Sequence, residues 1–113
     1  RDEILEALDE ISDDYGAGST WDYDWLTFDG TDDENLMKAY DTLTFNGNAA
    51  DMEEKAQGQI LALLLTTYHF DHDTDPWMTG IITAFLNEYN DGNYELAKNY
   101  ADYLNNLKEN CPE

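Results

Sequence analysis

Imidazole and carboxylate side chains, which are common metal ligands, are concentrated between residues 69 and 75 of this 113-residue chain. The segment has the sequence His-Phe-Asp-His-Asp-Thr-Asp and contains both histidines, His69 and His72. Imidazole and carboxylate groups together suit zinc or nickel, so one hypothesis is a transition-metal site formed by the two histidines and neighbouring aspartates. The interpretation that we favour is simpler: these are solvated loop residues, and Asp75 caps the helix that follows.

Aspartates at alternate positions in the same segment resemble the start of an EF-hand calcium loop. Pro76 stands where that loop needs a turn glycine, and Ile82 stands where it needs a bidentate glutamate, which disfavours a true EF-hand. A looser calcium site is a further hypothesis, because a second carboxylate-rich region lies around residues 22–33. The candidate calcium ligands are Asp71, Asp73, Asp75, Asp29, Asp32 and Asp33.

Signatures of nucleophilic or nucleotide-dependent catalysis are missing from the sequence. No Gly-x-Ser-x-Gly motif occurs, and the only serines are Ser12 and Ser19. The seven glycines are scattered and form neither a phosphate-binding loop nor a dinucleotide-binding fingerprint. Since 26 residues are Asp or Glu, the spacing of any two carboxylates says nothing about glycoside chemistry. We therefore expect a protein that is not an enzyme, with a metal ion, calcium before zinc or nickel, as the only candidate cofactor.

The charge balance is the strongest constraint on partners. Five Lys and Arg residues against 26 Asp and Glu give a net charge of -21. Five cations cannot form a basic patch, which argues against direct binding to nucleic acid or to anionic membranes. No apolar run approaches the roughly 18 residues that cross a bilayer. Hydrophobic residues make up 42% and aromatic residues 13%, too many for a disordered acidic tail, so we expect one folded domain over residues 1–113.

Apolar residues recur at helical spacing along most of the chain and predict an all-α fold, a bundle of four or five helices. The first helix is predicted over residues 2–14, and the second begins at the capping box Thr31-Asp32-Asp33-Glu34. The third is predicted to run from a cap at Asn48 to about residue 70, and its largely apolar middle indicates a central helix buried on several sides. The fourth begins at Asp75-Pro76, and the fifth follows Asn93.

The apolar positions also predict which side of each helix faces the core. In the second helix they are Leu36, Met37, Tyr40 and Leu43, and in the last helix they are Leu96, Ala97, Tyr100, Leu104 and Leu107. The segment over residues 19–30 differs, because Trp21, Tyr23 and Trp25 alternate with aspartates. No second strand-like run exists to pair with it. We therefore predict an irregular segment whose aromatic rings pack on the bundle, or mark a contact patch for a partner where they are exposed.

Two stretches carry a resemblance to a known class of proteins. Residues 56–65 form an Ala/Gln/Leu-rich segment, and residues 90–98 have the sequence Asn-Asp-Gly-Asn-Tyr-Glu-Leu-Ala-Lys, followed by Leu104-Asn105-Asn106. In this order they resemble the helical domains of secreted and cell-surface multidomain proteins of bacteria and archaea. The resemblance implies a non-catalytic interaction or assembly module, located outside the cell or at its surface, with bound calcium and with a protein partner or a second copy as ligand.

Two alternatives also fit the acidity. A DNA-mimic inhibitor of a nuclease, of the anti-restriction or anti-CRISPR type, would act in the cytoplasm and bind a basic protein surface. A folded chain of this mass exposes roughly 6,300 Å², or about one excess charge per 300 Å², whereas duplex DNA carries one per roughly 100 Å². Mimicry would therefore need the charge gathered on one side. The other alternative is a small soluble protein adapted to high salt, where hydrated carboxylates maintain solubility.

Overall fold

In the computed structural model the described residues form five α-helices and one short 3₁₀ helix. The structure describes residues 2–44, 51–70 and 75–110, with side chains over 3–44, 51–70 and 75–105, and these ranges contain no β-strand. In chain order the helices are α1 (Asp2–Tyr15), the 3₁₀ helix (Asp24–Leu26), α2 (Asp32–Thr44), α3 (Met52–His69), α4 (Pro76–Asn90) and α5 (Tyr94–Asn110). The predicted all-α fold with an irregular segment between the first two helices is confirmed.

Capping boxes set the first residues of α2 and α3. The backbone N of Glu34 donates to Thr31 Oγ1 over 3.2 Å, and the backbone N of Thr31 donates to Glu34 Oε1 over 2.8 Å. At α3 the same reciprocal pair joins Asp51 and Glu54 over 2.8 and 3.3 Å. The first box was predicted. The predicted cap at Asn48, which lies outside the described residues, is wrong, because the helix begins after Asp51.

A tight turn makes α4 and α5 into a helical hairpin. Asp75 accepts a hydrogen bond from the backbone N of Trp77 over 3.2 Å, and Pro76 occupies the first turn, so α4 begins where the sequence predicts. After α4 ends, the chain reverses at Gly92, whose φ of +84° is in the left-handed region that glycine adopts without strain. The fifth helix then begins after Asn93, as predicted. The two helices therefore run antiparallel and side by side.

The third helix is the centre of the bundle. It packs against α1, α2 and α5, and more lightly against α4. Its buried residues cover more than half of the helix circumference and are Ala56, Gly58, Ile60, Leu61, Leu63, Leu64, Thr67 and Tyr68. Full burial of one such leucine or isoleucine is worth about 1.5–3 kcal/mol. The predicted central helix is confirmed.

Lys38 holds the irregular segment against α2. Its ammonium donates to the backbone oxygen of Asp24 over 2.8 Å and to that of Thr27, and it lies 5.5 Å from the centroid of the Phe28 ring. The backbone N of Phe28 also donates to Ser12 Oγ over 2.9 Å, which ties the same segment to α1. The segment is therefore irregular in secondary structure but attached to both flanking helices, α1 and α2.

The predicted inner face of α2 is wrong in part. Met37 is 61% exposed, Tyr40 63% and Leu43 36%, whereas the buried residue of this helix is Ala39, at 4%. Leu36 is partly buried against the core. The small side chain of Ala39 faces the bundle, where α2 packs against α3 and, more lightly, against α1. The wider apolar face that the spacing predicts is therefore left at the surface.

The predicted inner face of α5 is also shifted. Ala97 and Ala101 are completely buried, whereas Leu96 is 41% exposed and Tyr100 49%. Alanines at these positions allow the axes of α3 and α5 to approach closely, since interaxial distance depends on side-chain size at the contact. The longer side chains are thereby displaced to the flank of α5. Leu104 lies in the core as predicted, and the side chain of Leu107 lies outside the described part of the structure.

We expect the core of α3 to control stability. Leu61 has no exposed surface, so Leu61→Ala should lower the free energy of unfolding by about 2–5 kcal/mol through lost burial and a residual cavity. Leu96→Ala is the matched control, because the same change at 41% exposure should cost less than about 1 kcal/mol. Urea unfolding followed by far-ultraviolet circular dichroism measures both. Equal losses at the two positions would contradict the central role of α3.

Candidate interaction surface

The exposed side of α4 is almost free of charge. Of its 15 residues only Glu88 is acidic or basic, in a chain whose charged fraction is 27%. Surface helices of globular proteins normally carry charged residues on the face away from the core. The exposed residues of α4 before its last turn are instead uncharged: Pro76, Trp77, Thr79, Gly80, Thr83, Ala84 and Asn87.

A groove of about 500 Å³ lies between α4 and α5. Phe85 and Leu104, which are 0% and 8% exposed, belong to both the core and the groove lining. Tyr100 and Tyr103 stand on the α5 side at 49% and 65% exposure. The α4 side consists of Ile81, Ala84 and Glu88. The groove is therefore apolar inside, with two phenol rings and one carboxylate around it.

Helical periodicity places these residues in two facing rows. On α4, Trp77, Ile81, Ala84 and Glu88 recur at i, i+4, i+7 and i+11. On α5, Leu96, Tyr100 and Tyr103 recur at i, i+4 and i+7. Since Trp77 is 61% exposed and Leu96 41%, the apolar surface continues beyond the groove at both ends. We call these seven residues the α4–α5 surface.

The composition of the α4–α5 surface is typical of a protein-binding surface. Among the groove-lining residues, Glu88 is the one carboxylate, and no histidine, cysteine, serine or lysine accompanies it. General acid–base catalysis needs a positioned donor and acceptor of suitable pKa, and beside Glu88 the lining supplies only the phenols of Tyr100 and Tyr103 for such a role. What it offers is a fixed apolar floor and tyrosines, which are frequent anchors of protein interfaces.

The predicted aromatic residues form a cluster within the molecule. Tyr23 is 8% exposed, and its ring lies 6.1 Å from that of Trp21, 5.3 Å from Trp25 and 5.6 Å from Tyr89. The Tyr23 hydroxyl donates to Asn90 Oδ1 over 2.6 Å. The cluster thereby fixes the end of α4 and, with it, the α4–α5 turn. Trp21 and Trp25 are partly buried against the core, and their contact with a partner stays a prediction.

Buried tyrosine hydroxyls link this cluster and α1 to the central helix. Tyr89 accepts from Gln57 Nε2 over 2.8 Å and donates to Glu53 Oε2 over 2.9 Å. Near the C-terminal end of α3, Tyr68 donates to Asp14 Oδ2 over 2.6 Å. Burial raises the pKa of Tyr23 to about 12. Burial raises the pKa of Tyr68 and Tyr89 well above the ordinary range, and their carboxylate partners add to the effect.

The candidate transition-metal residues are only partly described. His69 ends α3, where its Nδ1 lies 3.5 Å from Glu3 Oε2 and its ring meets Phe70 edge to face. Asp75 caps α4. His72, with its neighbours Asp71 and Asp73, lies outside the described residues. A transition-metal site at the two histidines therefore stays a prediction.

The second candidate calcium region is fully described. Asp29, Asp32 and Asp33 are exposed around the start of α2. Over residues 3–44, 51–70 and 75–105, no three side chains of His, Cys, Asp or Glu are grouped so that they could hold a metal ion. The structure therefore does not bring these three aspartates together as a metal site. Calcium bound through Asp71 and Asp73 stays a prediction.

Comparison with known proteins gives no identification: no family model, no curated protein and no solved structure matches the chain. The resemblance to helical domains of secreted and cell-surface proteins therefore stays a prediction. In the part of the chain that the structure describes, no helix is both long enough and apolar enough to cross a membrane.

Sequence reasoning did not identify the α4–α5 surface as a site. A signal was nevertheless present, because residues 76–87 contain no charged residue in a chain that is otherwise rich in carboxylates. The apolar middle of α3 is equally free of charge, but most of it is buried in the core. Only the structure shows that the stretch in α4 is exposed along one side, with Trp77 at its start.

We expect the protein to unfold in alkali as its buried tyrosines ionise. The pKa of Tyr23 is about 12 in the folded state and about 10 in an unfolded chain. The contribution of this pKa difference to the free energy of unfolding is therefore at its maximum below a pH of about 10. That contribution is lost as the pH rises towards 12. A titration that follows phenolate absorbance and helical circular dichroism together should show part of the absorbance change coinciding with helix loss. Ionisation of all eight tyrosines with the helices intact would contradict this.

Proposed function

We propose that this protein is a non-enzymatic interaction module that binds a protein partner through the α4–α5 surface. The observation that carries the proposal is the contrast between this surface and the rest of the molecule. A chain with a net charge of -21 exposes Trp77, Tyr100 and Tyr103 beside a helix face on which Glu88 is the one charged residue. Single exposed apolar residues are ordinary on protein surfaces, but contiguous apolar patches with a polar surround mark contact sites.

The arrangement of the surface supports binding over a purely structural role. The groove between the two rows has a floor already buried in the core, so a ligand side chain would enter a preformed depression. Aromatic side chains lose few rotatable bonds on binding and supply much contact area, which makes Trp and Tyr common hot-spot residues. Truncating one such anchor typically costs about 2 kcal/mol or more of binding free energy.

The setting of the module is a second part of the proposal. The sequence resemblance over residues 56–65 and 90–106 supports an extracellular or cell-surface location and a role in interaction or assembly. Calcium bound near Asp71 and Asp73 would reduce the repulsion within the acidic connection between α3 and α4. The interaction through α4 and α5 needs neither feature, since none of its residues belongs to that connection.

A DNA-mimic inhibitor is the second candidate, because one row of acids is well exposed. On α1, Glu3, Glu6, Glu10 and Asp13 follow one another at i, i+3, i+7 and i+10, all exposed. The accessible surface of 6734 Å² nevertheless carries only about one excess charge per 320 Å², against roughly one per 100 Å² on duplex DNA. Acidic residues also surround the start of α2, so the charge is not confined to α1.

Binding to a nuclease tests this candidate. The DNA-mimic function would be favoured if duplex DNA competes with the protein for the nuclease and if Glu6→Lys combined with Glu10→Lys abolishes the binding.

Peptide selection tests the proposed interaction. A random peptide library displayed on phage is selected against the immobilised protein, and affinities of the selected peptides are measured on two variants. Ala84→Glu places a carboxylate in the groove, whereas Thr83→Glu places the same charge at the next exposed position, outside the groove lining. We expect affinity to fall at least about tenfold for Ala84→Glu and less than about twofold for Thr83→Glu.

The variants must share the fold of the parent protein, which thermal unfolding followed by circular dichroism checks directly. A selection that enriches no peptide would contradict the proposed function. Selected peptides that bind the parent protein and both variants equally would contradict it as well, because their contact would then lie elsewhere.

A further inference from the structure

We propose that the occupant of the α4–α5 surface is a single amphipathic α-helix of another protein, with large apolar residues on one face and Lys or Arg on its flanks. This inference rests on the proposed function and specifies the chemistry of the partner. It follows from the shape of the surface, the backbone that borders it, the small residues at its middle and the charge of the whole chain.

The shape of the surface matches one helix. The row on α4 extends from Trp77 to Glu88, which spans about 16 Å or three helical turns. Across the groove, Leu96, Tyr100 and Tyr103 repeat with the same helical spacing. A helix lying along the groove between two antiparallel helices presents residues at i, i+3, i+4 and i+7 to both rows at once. Its apolar face would contact Ile81, Ala84 and the two tyrosines.

The backbone around the groove favours a helix over an extended peptide. Both walls are α-helices, whose backbone groups are hydrogen-bonded within each helix, and the described residues offer no strand edge for pairing. An extended peptide in this apolar groove would leave its own N–H and C=O groups without partners, at a cost of about 1–3 kcal/mol for each buried group. A helical peptide satisfies these groups internally.

The middle of the α4 row allows close approach. Ala84 is exposed, and Gly80, one turn earlier, is exposed with open space where a Cβ atom would stand. A glycine inside a helix costs about 1 kcal/mol relative to alanine, and the packing of this chain gives no reason for it. Small residues at a helix–helix contact permit short interaxial distances. The partner helix can therefore lie low over Gly80 and Ala84, with Trp77 and Tyr103 beside it.

Charge selects a cationic partner and disfavours a second copy. Self-association would bring together two molecules that each carry a net charge of -21, and like charges oppose such an encounter. A helix with Lys or Arg on its flanks is instead attracted at long range, which increases the association rate. Glu88 lies in the groove lining, where it offers a carboxylate for one of these cations.

The test uses three synthetic peptides and the 113-residue chain. The first is an amphipathic helix of Leu and Lys with the apolar residues on one face. The second has the same composition in an order that disperses the apolar residues, and the third replaces Lys by Glu. Fluorescence anisotropy in buffer of physiological ionic strength measures the dissociation constants for the parent protein and the variants Ala84→Glu, Thr83→Glu and Glu88→Gln.

We expect the Leu/Lys helix to bind at least about tenfold more tightly than either of the other two peptides. Ala84→Glu should weaken this binding about tenfold, Glu88→Gln about threefold, and Thr83→Glu less than twofold. If the cationic peptides only adsorb non-specifically to the acidic protein, the dispersed peptide will bind as tightly as the amphipathic one. The variants Ala84→Glu and Thr83→Glu will then bind the peptides with equal affinity. That result would overturn the inference.

Two further outcomes separate this inference from the proposed function. If phage-selected peptides require Ala84 but tolerate a central proline, the occupant is extended; the helix inference then fails and the interaction surface stands. If sedimentation shows a dimer that Ala84→Glu dissociates, the occupant is a second copy and the inference fails in the same way. If Ala84→Glu changes the affinity for none of these ligands, the α4–α5 surface is not a binding site and both proposals fail.

Discussion

Burial of α3 is the interaction on which the structure depends. A net charge of -21 opposes compaction, and apolar contact around this helix is the largest opposing contribution that the fold shows. The same packing creates the candidate site. Because Ala97 and Ala101 bring α5 close to α3, the longer side chains Leu96 and Tyr100 are displaced to the flank, beside an α4 face that carries almost no charge. The groove therefore follows from how the core is packed.

The helices could be predicted from the sequence because their signals are local. Caps such as Thr31 and Asp75 and the apolar repeat depend only on neighbouring residues. How much of each apolar face is buried depends instead on the helix that packs against it, which is distant in the sequence. Met37 and Tyr100 illustrate this limit: both have core spacing, and both are exposed because a small residue, Ala39 or Ala97, makes the actual contact.

Residue type alone could not distinguish the roles of the tryptophans. Trp21 and Trp25 flank Tyr23 in a segment that ring contacts and the Tyr23–Asn90 hydrogen bond attach to the end of α4. Trp77 stands at the other end of the same helix and is 61% exposed. The sequence predicted that the first two pack on the bundle or, where they are exposed, mark a contact patch. Trp77 was not among the predicted contact residues, although the charge-free run that begins beside it was visible.

The most direct measurement is a ¹H–¹⁵N spectrum of the three tryptophan indole N–H groups during titration with a Leu/Lys amphipathic helix. Each indole gives its own resonance, so the spectrum reports separately on the α4–α5 surface and on the aromatic cluster. The account predicts that the Trp77 resonance shifts progressively to saturation while those of Trp21 and Trp25 stay in place. Saturable shifts of Trp21 and Trp25 with an unchanged Trp77 would contradict it.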